Sequence, residues 1–448
     1  MANLTNLAKS SLQIFPDNGY FIKKMVRETL VKKEILISDL SNRLRGTTLA
    51  SPYTVYWIDP ARIEFHTNYK RDSLDWEDLV FDQSKPVAKI QDGDWDIPEH
   101  RVSDMRAFRA IHDRIHHGNA WQTTEYYQCA VRQIEGGREL WGCSSRADFD
   151  KRCDEIDNLI ESIKTHGYLE RSADKINPVS PGYGEIIINI SRDGLCLFQD
   201  GRHRLAIALA LGLKQVPVQV LVRHSGWVSF REFLKRMATR DDGGYSPLGT
   251  LYQSPLHFDL VDIPSIHSCE DRWDAIKSHI AIPASGVALD IGCNLGFFCH
   301  KLEEVGYSSV GVEYLPECAY VAKKIATAEN RKFKVLTGDI LTLEEFQPHN
   351  APVFDVVLAL NIFHHFIKTQ DGYEKLRQFM NNVRIGTLFF EAHLPGEAQM
   401  QEVFFNPAPD EFAQLLKDWG RFERAVPIYT ADDGRTMFKL DQQRISPK

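Results

Sequence analysis

The second half of the chain alternates short apolar runs with segments of helical length. Nearly continuous apolar runs joined by helices are typical of parallel strands that are buried on both faces. The pattern therefore predicts a Rossmann-like α/β domain, in which a helix at 412–419 and a hairpin around 433–434 add an antiparallel end strand. The predicted parallel strands lie at 287–291, 309–313, 334–339, 354–361 and 387–391.

The first half of the chain has shorter and more varied elements. A predicted strand at 53–63 ends in an Asp-Pro turn, and a helix over 149–163 carries one apolar face and stops near Gly167. A hairpin over 185–198 follows, and then a helix and a strand at 205–211 and 216–221. We expect an α+β domain with a large helical insertion.

A glycine turn follows the first predicted strand of the second half. Gly292 and Gly296 let a ligand approach bare backbone at the positive end of the next helix. The second strand ends on Glu313, a carboxylate placed for the two hydroxyls of a ribose. A nucleoside ligand is predicted, and both a methyl donor and a nicotinamide dinucleotide remain open on this pattern alone.

The ordered set of motifs resembles the class I S-adenosylmethionine-dependent methyltransferases over residues 275 to 448. Asn294 departs from the glycine that many members carry at this position, but with the pair Phe297 and Phe298 it fits that family better than a dehydrogenase. The resemblance implies S-adenosyl-L-methionine as the cofactor. The implied cofactor-binding residues are Asp290, Gly292, Asn294, Gly296, Glu313, Asp339 and Asn361.

Two histidines follow the fourth predicted strand, where open parallel sheets collect ligands. An imidazole with an ordinary pKa of roughly 6.5 suits a general base that takes the proton of an alcohol acceptor. His365 matches the position at which many such methyltransferases have histidine, and His364 is the second candidate. The alternative is a buried imidazole that only caps the helix start.

A second cluster, residues 200–204, lies between a predicted strand and a helix. Backbone amides at the helix start, the fork of Arg204 and the imidazole of His203 form a site suited to phosphate oxygens. A plain helix start capped by Asp200 is the alternative. The predicted phosphate-binding residues are Gly201, Arg202, His203 and Arg204.

This cluster resembles the Gly-x-His-Arg box of the ParB/sulfiredoxin superfamily, which implies binding of ATP or another nucleotide with Mg²⁺. DNA partition, repair of oxidised cysteine and phosphorylation of a hydroxyl occur in that superfamily. Residues 241–247 replace the helix-turn-helix of a partition protein, and Arg202 stands where a repair enzyme needs cysteine. Phosphotransfer is the least contradicted activity, with Asp200 and His203 as its catalytic candidates; Asp193 and Glu185 are the other nearby carboxylates.

The composition of the chain limits the classes of partner that are expected. A net charge of -8 and a pI near 6.1 disfavour a protein that wraps nucleic acid, and small-molecule or glycan substrates are favoured. The eight cysteines include no Cys-x-x-Cys pair, so reduced core thiols are expected and no metal site is assigned. The absence of an apolar run of membrane-spanning length and of a leader predicts a cytoplasmic protein.

The predicted organisation is a nucleotide-binding domain over 1–240, a linker or cover segment over 241–274 and a methyltransferase domain over 275–448. The leading hypothesis is a bifunctional kinase and O-methyltransferase that acts on a glycan or another hydroxyl-bearing acceptor. Two alternatives stay open: a front domain that only senses nucleotide or binds substrate, and a nucleic-acid methyltransferase.

Overall fold

The computed structural model describes residues 49, 54–67, 89–168, 185–239, 251–281, 285–347 and 352–441. Contacts divide the chain into two compact units, Met1–Glu232 and Phe233–Lys448. The division falls inside a helix, close to the predicted domain end at 240. Residues 241–250 of the predicted cover segment lie outside the described residues, and the three predicted domain ranges remain predictions.

The N-terminal unit contains a six-stranded mixed sheet. The strand order is β1-β6-β4-β5-β2, and β3 pairs with the far end of β6. The predicted hairpin is the antiparallel pair β4 and β5. The strands are β1 (Val55–Ile58), β2 (Phe65–His66), β3 (Lys89–Gln91), β4 (Ile186–Ile190), β5 (Cys196–Asp200) and β6 (Val216–His224).

Helices of this unit include the predicted insertion between β3 and β4. The capping box of Ser145 and Asp148 starts the longest of them, and Gly167 ends it as predicted. A mixed sheet with helices between β3 and β4 is therefore observed, whereas the ParB/sulfiredoxin resemblance, and with it the interpretation of these helices as an insertion, remains a prediction. The helices are α1 (Arg106–His117), α2 (Glu125–Glu135), α3 (Arg146–His166), α4 (Arg202–Ala210) and α5 (Ser225–Thr239), the last of which continues into the second unit.

The C-terminal unit contains a seven-stranded sheet of order β11-β10-β9-β12-β13-β15-β14. The first five strands are parallel, and the last two form the predicted antiparallel end. The predicted Rossmann-like arrangement is confirmed. The strands are β9 (Gly286–Ile291), β10 (Tyr307–Glu313), β11 (Lys334–Thr337), β12 (Val353–Leu360), β13 (Arg384–Glu391), β14 (Arg424–Thr430) and β15 (Thr436–Asp441), preceded by a two-stranded pair, β7 (Leu251–Gln253) and β8 (Ser265–His267).

Helices cover both faces of this sheet. Alternate residues of a strand point to opposite faces, so Leu289 packs in one apolar core with Phe379 and Phe412, while Ala288 packs in another with Trp273 and Phe298. None of the described helices combines the length and the apolarity that a membrane span requires. The helices are α6 (Glu270–Lys277), α7 (Phe297–Glu304), α8 (Pro316–Ala328), α9 (Phe363–Phe366), α10 (Gln370–Asn382) and α11 (Pro409–Gly420).

Candidate active site

The strand order of the C-terminal sheet fixes where a ligand is expected. After β9 the chain moves outward through β10 and β11 and then returns to place β12 against the other side of β9. Loops leaving β9 and β12 therefore diverge, and a crevice opens at the carboxyl ends of these strands. The glycine turn and the two predicted histidines follow these two strands.

The turn after β9 adopts the backbone that its sequence requires. Gly292, Asn294 and Gly296 have φ angles of 75°, 50° and 84°, in the left-handed region. A Cβ on Gly292 would lie 2.9 Å from Cδ1 of Ile362. Asn294 is one of the non-glycine residues that tolerate this conformation best, which explains how it replaces the glycine of many relatives.

The amides at the start of α7 are already paired with protein. Oε1 of the buried Gln253 side chain accepts hydrogen bonds from the amides of Leu295 (3.1 Å) and Phe297 (3.4 Å). In a dinucleotide-binding protein, the amides at this helix start face the pyrophosphate. Gln253 thus occupies the position at which a nicotinamide dinucleotide would place its phosphates.

Glu313 ends β10, and its carboxylate binds the turn. Oε2 accepts from the Asn294 amide and Oε1 from the Leu315 amide, each at 2.8 Å. Burial raises the pKa of this carboxyl group against these two hydrogen bonds. A carboxylate offers about four lone-pair sites, so ribose hydroxyls can still donate to it.

A cavity of about 560 Å³ lies beside these groups and is called here the switch-point cavity. Asp339 and Glu313 supply carboxylates, and Oδ1 of Asp339 accepts from the Leu341 amide at 2.9 Å. The remaining wall is mainly apolar, as expected of a site that holds a flat base. The lining residues are Ile291, Gly292, Val312, Glu313, Tyr314, Leu315, Gly338, Asp339, Ile340, Ile362, His365 and Phe366.

Asn361 ends β12 with a φ of 52°. Its side-chain Nδ2 donates to the Tyr252 hydroxyl at 3.0 Å, while its Oδ1 is buried and has no hydrogen-bond partner among the described residues. Oδ1 of Asn294 is likewise buried and unpaired in this part of the chain. Unpaired buried acceptors are costly, so both oxygens are suited to a ligand that brings N–H or O–H donors.

Asp290 lies beneath the glycine turn and is not among the residues that line the switch-point cavity. It is 2% exposed, and the Cys299 thiol lies 3.7 Å from its carboxylate. Burial raises its pKa to about 7. The predicted role of Asp290 in cofactor binding stays a prediction. All eight cysteines are free thiols, and seven are buried, as expected.

The two predicted histidines have different surroundings. His365 lines the cavity and keeps part of its side chain exposed, whereas His364 is buried and its Nε2 lies 3.2 Å from Oε1 of Gln399. Burial, with nearby positive charge, lowers the pKa of His364 to about 3 and also lowers that of His365. Both imidazoles are neutral at pH 7, so His365 is placed as a proton acceptor of reduced basicity.

A buried network of ion pairs lies at the carboxyl end of β13. Arg272 of α6 donates to Glu391 at 2.9 Å and to Asp433 at 3.2 Å. Glu391 is 2% exposed, and its pKa is raised by burial. Removal of one partner from such a network leaves a buried charge unpaired, which is why these residues are assigned to the scaffold.

The N-terminal unit holds a second cavity, of about 360 Å³, at the start of α4. The four predicted phosphate-binding residues and Asp200 all line it, so the structure brings them together as the sequence predicts. Arg152, which no sequence motif indicated, and Trp141 also line it. This arginine cavity is lined by Trp141, Arg152, Leu159, Ser162, Ile163, Gly167, Tyr168, Asp200, Gly201, Arg202, His203 and Arg204.

The two catalytic candidates of this cavity are held by local hydrogen bonds. Oδ1 of Asp200 accepts from the Gly201 amide at 2.7 Å, and Nε2 of His203 lies 3.0 Å from the hydroxyl of the buried Tyr126. Burial and the charges of Arg202, Arg152 and Arg204 hold the pKa of His203 well below its usual value. His203 is therefore neutral at pH 7.

The sequence assigned no metal site, but α1 carries a group that the helical turn brings together. His112, Asp113 and His117 place ligand atoms within 4.8 Å of one another at the helix surface. Their surroundings are largely solvent, and an exposed cluster of this kind also occurs without an ion.

Sequence reasoning missed Gln253 and Arg152. Gln253 reaches the glycine turn across more than forty residues and Arg152 belongs to an inserted helix, so no local spacing signals either contact. Tyr314, at the cavity wall and 69% exposed, could have been found because it directly follows Glu313.

The comparison with protein families gives the class of enzyme to which the C-terminal unit belongs. Residues 289–384 match the family described as "Methyltransferase domain". This range begins within β9, includes the glycine turn and both histidines, and ends at the start of β13. The C-terminal unit therefore carries a methyltransferase domain, and the predicted enzyme class is confirmed.

Individual relatives cover only part of the chain. A tRNA U34 carboxymethyltransferase of Cronobacter sakazakii is 27% identical over 200 residues, which are 41% of this chain and 58% of that protein. The O-antigen chain terminator bifunctional methyltransferase/kinase WbdD of Escherichia coli is 26% identical over 149 residues, covering 31% and 20%. A solved structure of WbdD has a TM-score of 0.37 at 20% identity, covering 45% of this chain and 46% of that one. The chain thus matches about half the length, or less, of these relatives.

Proposed function

We propose that the C-terminal unit transfers a methyl group from S-adenosyl-L-methionine, bound in the switch-point cavity. The observation that carries this proposal is the occupation of the α7 amides by Gln253. S-adenosylmethionine contains a nucleoside and an amino acid but no phosphate. Its ribose hydroxyls can therefore donate to Glu313, while the α7 amides keep their hydrogen bonds to Gln253. A pyrophosphate would compete with Gln253 for them.

Each residue of the site has a role that follows from its chemistry. Glu313 accepts the ribose hydroxyls, Asp339 accepts an N–H of the base, and the unpaired oxygens of Asn294 and Asn361 accept donors from the amino-acid end. His365 at the cavity wall would take the proton from a hydroxyl acceptor that receives the methyl group, with the thioether of the spent cofactor as the leaving group. The bound cofactor supplies the activated methyl group.

Calorimetry with S-adenosylhomocysteine and with NADH tests this assignment. Saturable heat with the first ligand and none with the second is expected. The reverse result would show that a pyrophosphate displaces the Gln253 side chain from the amides of Leu295 and Phe297, and it would overturn the proposal.

For the N-terminal unit we propose a nucleotide-binding module that uses Gly201, Arg202, His203 and Arg204. One hypothesis is phosphotransfer onto a glycan or another hydroxyl with Asp200 and Mg²⁺; a relative named as a bifunctional methyltransferase/kinase, which matches 149 residues of this chain, prompts it. The second hypothesis is binding without turnover. Incubation with labelled ATP or CTP and candidate acceptors separates them, because label on an acceptor requires the kinase.

The names of the relatives also favour a second acceptor class. Several curated relatives are tRNA U34 carboxymethyltransferases, so the expectation that nucleic acid is a disfavoured partner is not supported. A tRNA acceptor would require a basic contact surface despite a net charge of -8. Binding of total tRNA at 50 mM and 200 mM salt tests this: a steep loss of affinity supports a nucleic-acid acceptor, and flat, weak binding supports a small or glycan acceptor.

A further inference from the structure

The arginine cavity has an excess of positive charge. Arg152, Arg202 and Arg204 line it, and Asp200 is the carboxylate among the described lining residues. Arg152 comes from the inserted helix α3, whereas the other two begin α4. Three guanidinium groups that cannot lose their protons therefore converge from two separate elements on one cavity.

Contacts with the Trp141 ring hold two of these guanidinium groups in place. The guanidinium carbons of Arg152 and Arg202 lie 5.9 Å and 5.3 Å from the centre of the Trp141 ring, so the tryptophan supports both. Nε of Arg152 and Nη1 of Arg204 are buried and have no hydrogen-bond partner among the described residues. A buried cationic N–H without an acceptor is costly, so an external acceptor is expected at this position.

The same charges act on His203, which lies among them. Burial lowers the pKa of its imidazole most, and the charges of Arg202, Arg152 and Arg204 each lower it further. His203 therefore adds no further positive charge at neutral pH, and its neutral ring can donate or accept one hydrogen bond beside the guanidiniums.

We propose that the arginine cavity binds the phosphate groups of its ligand directly through Arg152, Arg202 and Arg204, without a bridging divalent cation. This inference rests on the proposed nucleotide-binding function and specifies its chemistry. Guanidinium forks match phosphate oxygens in pairs, and three of them neutralise a pyrophosphate group. The ligand class is a phosphate or pyrophosphate ester.

The carboxylate content of the cavity supports a cation-free mode. Mg²⁺ is held in phosphotransfer sites by carboxylates together with substrate phosphates. Here the lining carboxylate within the described ranges is Asp200, and one of its oxygens already accepts the Gly201 amide. The arrangement thus favours a module that binds its phosphorylated ligand over one that transfers phosphate from Mg²⁺-ATP.

Calorimetric titration of the full chain with sodium pyrophosphate tests the proposal, once in EDTA and once in MgCl₂ at equal ionic strength. We expect binding in EDTA that is at least as tight as in MgCl₂. Arg152→Gln, which keeps much of the aliphatic stem over Trp141, should weaken it by roughly tenfold or more. Arg204→Gln should act in the same direction and provides a second variant if the first fails to fold.

Arg146→Gln is the matched control. It lies on the same helix, but its Nε donates to the Tyr127 hydroxyl at 3.2 Å and it does not line the cavity, so pyrophosphate binding should be unchanged. Binding that appears only with Mg²⁺, or equal affinities for the Arg152 and Arg146 variants, would overturn the proposal. S-adenosylhomocysteine titrated into the same samples separates the two sites, because its failure would affect the methyl-donor assignment alone.

Discussion

The hydroxyl of Tyr252 accepts a hydrogen bond of 3.0 Å from Nδ2 of Asn361. This contact joins a strand of the predicted cover segment to the end of β12 and fixes which way the Asn361 amide points. Because Nδ2 is engaged, the unpaired Oδ1 is the atom left for a ligand. The contact therefore prepares an acceptor before the cofactor binds.

Tyr252→Phe should weaken S-adenosylhomocysteine binding by about three- to tenfold, because the amide loses a hydrogen bond worth about 1 kcal/mol and can rotate. Tyr373→Phe is a suitable control, since Tyr373 of α10 makes ring contacts with Phe404, Phe405 and Trp419. Calorimetry of both variants checks the effect. Equal affinities would show that the Tyr252 contact does not orient the site.

Gly292→Ala should reduce the affinity for S-adenosylhomocysteine by at least about tenfold. A Cβ at this position meets Ile362, a wall of the cavity, at 2.9 Å, and the φ of 75° adds about 1–2 kcal/mol of strain. Gly434→Ala has a similar φ of 86°, but its nearest neighbour is Leu394 at 3.7 Å. Urea unfolding should show similar destabilisation from strain, while only the Gly292 variant loses ligand affinity. Loss of ligand affinity in both variants would indicate that the Gly292 substitution acts through a general loss of stability.

Asp290→Asn should flatten the pH dependence of stability. The pKa of Asp290 is raised from 3.8 to about 7 in the folded protein. Between these values the folded state holds a proton that the unfolded state has released, so the free energy of unfolding falls as pH rises through this window. Urea unfolding at pH 5 and pH 8 should show a larger fall for the wild type than for the variant. Equal falls would mean that this carboxyl group titrates normally.

His365→Gln should lower the rate of methyl transfer by about 10²- to 10⁴-fold without changing S-adenosylhomocysteine binding. Since the pKa of His365 is lowered, the wild-type rate should be independent of this group from pH 6 to 8. Transfer of labelled methyl to an acceptor fraction from cell extract gives the readout. His364→Gln is the comparison, since that buried ring contacts Gln399 and should affect mainly stability. A titration near pH 6.5 that disappears with His365 would contradict the lowered pKa.

Local patterns were sufficient to predict much of this protein. Apolar runs and glycine turns predicted the five parallel strands, and the spacing of Gly292, Gly296 and Glu313 predicted the end of the sheet at which the switch-point cavity lies. The same holds for the box at 200–204, because strand, turn and helix start are contiguous there. Each of these features depends on neighbours within a few residues.

Contacts between distant segments were not predictable in this way. Gln253 satisfies the turn amides, Arg152 enters the cavity from an insertion, and Asp290 turns toward Cys299 beneath the glycine turn instead of lining the switch-point cavity. Each depends on packing of elements far apart in sequence, which local periodicity does not encode. The same reason explains why the histidine pKa shifts, which arise from burial, were not anticipated.

The most direct test of the central claim is calorimetric titration of the full chain with S-adenosylhomocysteine, alongside Glu313→Gln and the control Glu345→Gln on an exposed turn. The account predicts saturable binding by the wild type and the control, and a loss of at least about tenfold for Glu313→Gln, which removes the charge that holds the turn and receives the ribose. Absence of binding by folded wild-type protein, or unchanged affinity in the Glu313 variant, would contradict it.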